Sequence, residues 1–188
     1  MLTEQDFLAL AAQGHNRIPL VAQALADLDT PLSLYLKLTQ GQPLSFLLES
    51  VVGGERFGRY SFVGLPARTL VRATDHQVEV VTDGQVVETF QGNPLDFIAT
   101  YQQRFKVAVP QGLPRFCGGL AGYFGYDTVR LIEPRLAQRP QTPGIGTPDI
   151  LLLQCEELAV IDNLADRLFL IVYADPSQPG AYARAQAR

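Results

Sequence analysis

Apolar positions along the chain change their spacing several times, and these changes predict a mixture of strands and helices. From residue 44 onward, short runs rich in β-branched or aromatic residues are separated by glycine, proline or charged residues, which is typical of strands. Residues 18–28 fit either a strand or an extended segment. The predicted strands are residues 44–52, 60–65, 69–73, 78–81, 86–87, 116–126, 150–161 and 167–173.

Three helices are predicted by their starting signals. Thr3 precedes an amphipathic stretch that stops at Gly14, and Thr30 precedes a proline and a short helix with Leu32, Tyr35 and Leu36 on one face. Asn93 likewise precedes a proline, which suits the first helical position because proline has no N–H to satisfy. That helix is predicted to reach about residue 105, with Leu95, Phe97, Ile98 and Tyr101 facing inward.

Tight turns indicate how the strands connect. Asp83 and Gly84 both tolerate the positive φ that a two-residue hairpin turn needs, and residues 163–166 separate two apolar runs that we expect to form a long hairpin. Strands therefore come in runs with few helices between them. This order predicts an α+β fold of largely antiparallel sheets with a few flanking helices, and it disfavours a regularly alternating parallel fold.

Length and composition bound the organisation of the chain. With 188 residues, 47% of them hydrophobic, we expect a single globular unit over residues 1–188. Residues 177–179 resemble a helix start, yet the helix formers that follow end within about two turns, and so short a helix gains little on its own. We therefore expect the natural polypeptide to continue beyond Arg188.

Charge and targeting signals exclude several partners. A net charge of −4, without a run of Lys or Arg, argues against nucleic acid or an anionic membrane as a partner. The N-terminus lacks the basic residues of a secretory signal, and no run of about 18 apolar residues occurs. The cytoplasm is the expected location.

The common catalytic motifs are missing from the sequence. No phosphate-binding P-loop, no Gly-x-Gly-x-x-Gly dinucleotide motif and no Gly-x-Ser-x-Gly nucleophile elbow occurs. Cys117, Cys155, His15 and His76 are isolated from one another, so they offer no metal-ligand spacing, and the cysteines are expected to be buried thiols.

Two further features have structural explanations. The glycines of residues 118–125 alternate with large apolar residues, as expected where backbones approach closely within a sheet. Glu156 and Glu157 are neighbours in a predicted strand, so their carboxylates should point to opposite faces rather than form a catalytic pair.

The apolar strand that contains Leu47 and Leu48 is predicted to end in two polar residues, Glu49 and Ser50. Such a strand end can supply a pocket with a few orienting hydrogen bonds while the leucines form its apolar wall. On this pattern alone, an ordinary strand end that opens a loop is the more common explanation of these residues.

Four segments, in order, resemble the N-terminal region of the anthranilate synthase large subunit. They are residues 30–38, 47–50, 53–64 and 118–127. The resemblance implies a parent enzyme that converts chorismate and ammonia to anthranilate and pyruvate with Mg²⁺. It also implies a glutamine amidotransferase small subunit that supplies the ammonia, and feedback inhibition by L-tryptophan. In that family the chorismate and metal residues lie in a later catalytic region, so no catalytic residue is expected here and residues 1–188 alone should be inactive.

The same resemblance implies that this region contributes one side of the tryptophan pocket. Strand alternation places Leu48 and Ser50 on one face and Glu49 on the other, unless the strand bends. We therefore expect Ser50 to be the direct ligand, Leu48 to form the wall, and Glu49 to lie nearby. Weaker candidates are Arg59, Tyr60 and Ser61, which open the next strand.

Two other interpretations stay open at this point. The related aminodeoxychorismate synthase large subunit of the folate branch shares the fold, although residues 53–64 favour anthranilate synthase. A stand-alone module that binds an amino acid or another small metabolite is the alternative from a different class, and the short final helix counts against it.

Overall fold

The computed structural model describes residues 2–49, 58–137 and 145–188. In this part of the chain two five-stranded, largely antiparallel sheets are accompanied by a few helices, which confirms the α+β prediction. The residues group into two compact units, whereas length and composition predicted one. Each unit contains one of the sheets.

The elements follow one another in a mixed order. The helices are α1 (Glu4–Ala12), α2 (Pro31–Thr39), α3 (Pro94–Gln102), α4 (Pro134–Ala137) and α5 (Ala181–Ala187), with a 3₁₀ helix at Tyr126–Leu131. The strands are β1 (Ile18–Leu25), β2 (Phe46–Leu48), β3 (Tyr60–Gly64), β4 (Thr69–Thr74), β5 (Gln77–Thr82), β6 (Gln85–Gln91), β7 (Gly119–Phe124), β8 (Ile150–Cys155), β9 (Glu157–Asp162) and β10 (Arg167–Ala174).

The three predicted helix starts are confirmed by their capping hydrogen bonds. The side chain of Thr3 accepts a hydrogen bond from the Asp6 N–H, that of Thr30 from the Ser33 N–H, and that of Asn93 from the Leu95 N–H. Each bond satisfies an N–H that has no partner within the first turn of its helix.

The first unit combines parts of Met1–Ala67, Phe105–Gly119 and Cys155–Arg188. Its sheet has the strand order β1-β10-β9-β3-β2, and the neighbouring strands run antiparallel. One face of the sheet packs against helices. Two buried clusters form on this face. The first contains Phe7, Ile18, Leu20, Ala108, Ala174 and Ala181, and the second contains Leu34, Val63, Ala159 and Ile161.

Helix α2 packs against the sheet with a different face from the predicted one, which was Leu32, Tyr35 and Leu36. Leu34 is buried, and Tyr35 and Leu38 pack against the same cluster. Leu32 and Leu36 are more than half exposed. Of the three residues predicted to share a face, only Tyr35 therefore contributes to the core.

The second unit combines Arg68–Arg104 and Leu120–Gln154. Its sheet has the order β6-β5-β4-β8-β7, and α3 buries Phe97, Ile98 and Tyr101. Asp83 and Gly84 have φ values of 49° and 79°, so the predicted hairpin between β5 and β6 is confirmed.

The run of residues 150–161 was wrongly predicted as one strand. The chain leaves the ladder at Glu156: β8 pairs with β4 in one sheet, while β9 pairs with β3 and β10 in the other. The hairpin with β10 therefore involves only β9, and residues 163–166 form its turn as predicted. The Glu156 side chain pairs with Arg17 at 3.3 Å, and Glu157 pairs with Arg188 at 2.8 Å.

The remaining local predictions concern β1, β2, the two cysteines and the glycine-rich run. Residues 18–25 form a strand, and within residues 44–49 the predicted strand forms as β2 at Phe46–Leu48, while residues 50–52 lie outside the described residues. Cys117 and Cys155 are buried free thiols, as predicted. At Gly122 an added Cβ would collide with the Leu151 backbone carbonyl, which confirms the close backbone approach predicted for the glycine-rich run.

Candidate functional site

The polar end of β2 lies at the edge of the first unit's sheet. Leu47 pairs with Val63 on β3 and packs into the helix-facing cluster, whereas Leu48 pairs with Phe62. Because successive side chains of a strand point to opposite faces, Leu48 lies on the face away from the helices, with Phe46 and Phe62.

Leu48 is 52% exposed although it is a large apolar side chain, and Glu49 follows it as an exposed carboxylate. Ser50, the predicted direct ligand, and the motif residues 53–57 lie outside the described residues. The placement of Ser50 on the Leu48 face therefore stays a prediction. What the structure provides is an accessible apolar side chain followed by an acidic one.

Aromatic side chains surround this edge. We call Phe46, Tyr60, Phe62 and Phe116 the aromatic wall. The ring centroids of Phe62 and Phe116 are 5.4 Å apart in an edge-to-face arrangement, those of Tyr60 and Phe62 are 6.2 Å apart, and those of Phe46 and Phe116 are 6.5 Å apart. All four side chains are half-buried, so the wall keeps accessible aromatic surface. Such a surface suits a planar, largely apolar ligand group.

Arg59 stands beside the wall in a defined pose. Its Nη2 donates to the Asp162 carboxylate at 2.8 Å, and its Nε lies 3.1 and 3.2 Å from the two carboxylate oxygens. The guanidinium carbon lies 4.9 Å from the centre of the Tyr60 ring. These hydrogen bonds from Arg59 hold the pKa of Asp162 below its usual range and raise the pKa of Arg59.

Ser61 is placed differently from the other candidates. Its residue is 0% exposed, and it pairs with Ile161, so its side chain lies on the helix-facing side of the sheet with Val63. The Asn163 side chain donates to its hydroxyl at 3.3 Å. A ligand on the Leu48 face would not reach Ser61, whereas Arg59 and Tyr60 border that face.

The aromatic wall was not recognised as a unit from the sequence. The spacing of Phe46 and Leu48, and of Tyr60 and Phe62, indicates shared faces on two neighbouring strands, so this part of the signal was present. Phe116 comes from a distant segment, and no local pattern links it to β2.

A concavity lies on the helix-facing side of the same sheet. It measures about 510 Å³ between α2 and α5, with Leu20, Ala22 and Leu170 among its lining residues. Lys37, Gln40 and the Glu157–Arg188 ion pair also line it. None of the residues predicted to bind tryptophan lines it.

Comparison with known proteins decides the family. The chain is 56% identical over 191 residues to anthranilate synthase component 1 of Neisseria meningitidis and 53% identical over 188 residues to that of Pseudomonas aeruginosa. Both comparisons cover all of this chain. The chain belongs to the anthranilate synthase component 1 family. It spans 39% and 38% of the length of these two relatives and corresponds to their N-terminal region.

A solved structure agrees with this assignment. Anthranilate synthase component I from Streptococcus pneumoniae matches 87% of the chain with a TM-score of 0.53 and 25% sequence identity, and the match covers 35% of that protein. No family model matches the chain. The antiparallel α+β arrangement is therefore one that a component I protein adopts.

The described residues give little basis for placing a metal. Within residues 2–49, 58–137 and 145–188, no three or more His, Cys, Asp or Glu side chains gather into a possible metal-binding group. The described helices also include none that is both long and apolar enough to cross a membrane. The described ranges thus offer no group of three such donors to the Mg²⁺ implied by the resemblance, and its location stays a prediction.

Proposed function

We propose that this chain is the regulatory region of an anthranilate synthase component 1 and contributes one wall of a feedback site for L-tryptophan. The full-length parent would convert chorismate and ammonia to anthranilate and pyruvate. A glutamine amidotransferase small subunit would supply the ammonia. The homology to component 1 over the whole chain is the observation that carries the parent activity.

The Leu48 face supports the regulatory role by its chemistry. Tryptophan offers an indole, an ammonium and a carboxylate. The aromatic wall and Leu48 match the indole, a Ser50 hydroxyl can donate to the carboxylate, and the exposed Glu49 carboxylate supplies negative charge near the ammonium.

Within this proposal each candidate residue has a role. Ser50 binds the polar groups of the amino acid directly, Glu49 lies nearby, and Leu48 contacts the indole. Tyr60 borders the indole, and Arg59 holds Tyr60 in place through its stacking contact. Ser61 is left out because it is buried on the opposite face.

Chorismate and Mg²⁺ are assigned to the part of the relatives that this chain does not span. When bound there, Mg²⁺ would supply positive charge to the carboxylates of the substrate. We expect the 188-residue chain alone to show no turnover of chorismate. Tryptophan would act at a distance from that chemistry, with a coupling of about 1–3 kcal/mol, as is common in allosteric proteins.

The test is an assay of the full-length parent with chorismate, Mg²⁺ and ammonium, following anthranilate fluorescence with and without tryptophan. We expect anthranilate formation that tryptophan suppresses. In the same assay Ser50→Ala and Leu48→Ala should raise the half-inhibitory tryptophan concentration by about tenfold or more, within the usual range of coupling. Their uninhibited rate should stay unchanged.

Matched controls separate site effects from general ones. Ser177→Ala removes an exposed hydroxyl from a turn, and Leu8→Ala removes a leucine that is 60% exposed on α1. Both should leave inhibition unchanged. Formation of aminodeoxychorismate would move the parent to the folate branch, and unchanged inhibition in Ser50→Ala would remove Ser50 from the site.

A further inference from the structure

The turn between β9 and β10 holds the beginning of β3 through a set of hydrogen bonds that we call the turn clasp. On the turn side it contains Asp162 and Asn163, and on the β3 side Gly58, Arg59 and Ser61. The Asp162 carboxylate accepts hydrogen bonds from the Arg59 guanidinium. The Asn163 N–H donates to the Arg59 carbonyl at 2.7 Å, and the Asn163 side chain donates to the Gly58 carbonyl at 3.0 Å.

Asp162 is fixed from a second direction as well. Its Oδ1 lies 3.2 Å from the backbone N–H groups of both Leu164 and Ala165, which belong to the turn itself. The residue is only 3% exposed. A buried carboxylate with donors on two sides has little freedom to rotate, so the position of the turn determines the position of the Arg59 guanidinium.

Arg59 transmits this restraint to the aromatic wall. Its guanidinium lies over the Tyr60 ring, and the Tyr60 ring lies 6.2 Å from that of Phe62, which pairs with Leu48. A continuous series of contacts therefore runs from Asp162 through Arg59 and Tyr60 to the Leu48 face. Asp162 itself points its carboxylate at Arg59 and the turn.

We infer that Asp162 is a positioning residue that holds Tyr60 at the tryptophan face and thereby sets the sensitivity of the parent enzyme to tryptophan. The inference rests on the proposed function. Asp162→Asn keeps the shape of the side chain but removes its charge and weakens its hold on the guanidinium. We expect the half-inhibitory tryptophan concentration to rise by about tenfold, which is within the range of common allosteric couplings.

The experiment compares wild type, Asp162→Asn and a matched control in the full-length parent. The control is Asp83→Asn. The Asp83 carboxylate also accepts two hydrogen bonds from an arginine, from Arg68 Nε at 2.9 Å and from Nη2 at 2.6 Å. Unlike Asp162, however, Asp83 is exposed and belongs to the other unit. Measured are the half-inhibitory tryptophan concentration, and kcat and KM for chorismate without tryptophan. We expect only Asp162→Asn to lose sensitivity, with its uninhibited kcat and KM unchanged.

A second variant guards against a folding failure. Arg59→Lys retains the positive charge but loses the planar group that lies over Tyr60, so it should weaken inhibition in the same direction. Parallel loss of uninhibited activity and of tryptophan sensitivity in both variants would show a merely structural role and overturn the inference.

The outcomes for the two proposals are distinguishable. A wild-type parent that tryptophan does not inhibit overturns the proposed function and this inference together. A wild type that is inhibited, with Asp162→Asn inhibited equally well, overturns only the positioning role of Asp162.

Discussion

Protonation of the Asp162 carboxylate should be visible in the stability of this chain. Folding surrounds its carboxylate with Arg59 and two backbone N–H groups, and the Arg59 hydrogen bonds hold its pKa below the ordinary value. A carboxylate with a depressed folded pKa stabilises the folded state above its unfolded pKa of about 3.9, and this contribution disappears as the pH falls through the folded pKa.

The prediction concerns the stability difference between wild type and Asp162→Asn. Urea unfolding at pH 7 should show the wild type as more stable, and the difference should stay constant down to about pH 4 and then shrink. Asp83→Asn should give a smaller difference at every pH, since exposed ion pairs contribute little. A difference that grows as the pH falls would contradict the assignment of the Asp162 charge.

Single residues also show where sequence reasoning succeeded and where it could not. The apolar-to-polar change at Leu48 and Glu49 located an accessible strand end, because alternation and polarity are local properties. The burial of Ser61 follows from the same alternation. The contribution of Phe116 and the pairing of Asp162 with Arg59, 103 positions apart, depend on how distant segments meet, which no local pattern records.

At the scale of elements, the most reliable predictions had a stereochemical cause within a few residues. Asn93 followed by proline began a helix, and Asp83-Gly84 formed a hairpin turn, because caps and positive φ values restrict the choice of residue. The division of residues 150–161 at Glu156 has no such local cause. It arises because β8 finds its partner in β4 and β9 finds its partners in β3 and β10.

Gly122 lies where the backbones of β7 and β8 are in close contact. At Gly122 an added methyl group would meet the Leu151 carbonyl and the Leu152 Cα, and backbone atoms within a sheet cannot move aside alone. We expect Gly122→Ala to lower the free energy of unfolding by about 2 kcal/mol or more, as overpacking does when the surroundings are rigid. The measurement is the urea midpoint of the 188-residue chain together with its denaturant slope.

Gly64→Ala is the matched comparison. There the added methyl group would meet the Phe46 ring, the far end of a side chain that can rotate. Its cost should be smaller, about 1 kcal/mol. Equal losses in the two variants would show that the β8 backbone adapts as readily as a side chain does.

On the scale of the whole molecule, the sequence predicted the α+β class but neither the strand order nor the two compact units. The class follows from the order of strands and helices along the chain. The strand order β1-β10-β9-β3-β2 joins segments from both ends of the chain. Many strand orders are compatible with the same local sequence patterns, so the pairing is decided by how the faces of distant strands pack.

The proposed division of labour in the parent protein leads to a prediction about tryptophan affinity. The chain spans 39% of the length of its relative from Neisseria meningitidis, and Leu48 keeps half of its surface exposed within it. A ligand lying on this face would therefore be covered on one side only. Affinity depends on enclosed, desolvated contacts, so the 188-residue chain should bind tryptophan at least about tenfold more weakly than the full-length parent.

Titration calorimetry on both proteins measures this difference, with full-length Leu48→Ala as the reference for a damaged apolar wall. Weak or undetectable binding by the 188-residue chain, together with tight binding by the parent, means that the pocket is completed by the part of the protein beyond this chain. Equal affinity would mean that the 188-residue chain encloses the ligand by itself. That outcome would favour an independent metabolite-binding module over a half-site, and it would relocate the coupling to the surface through which the module contacts the rest of the enzyme.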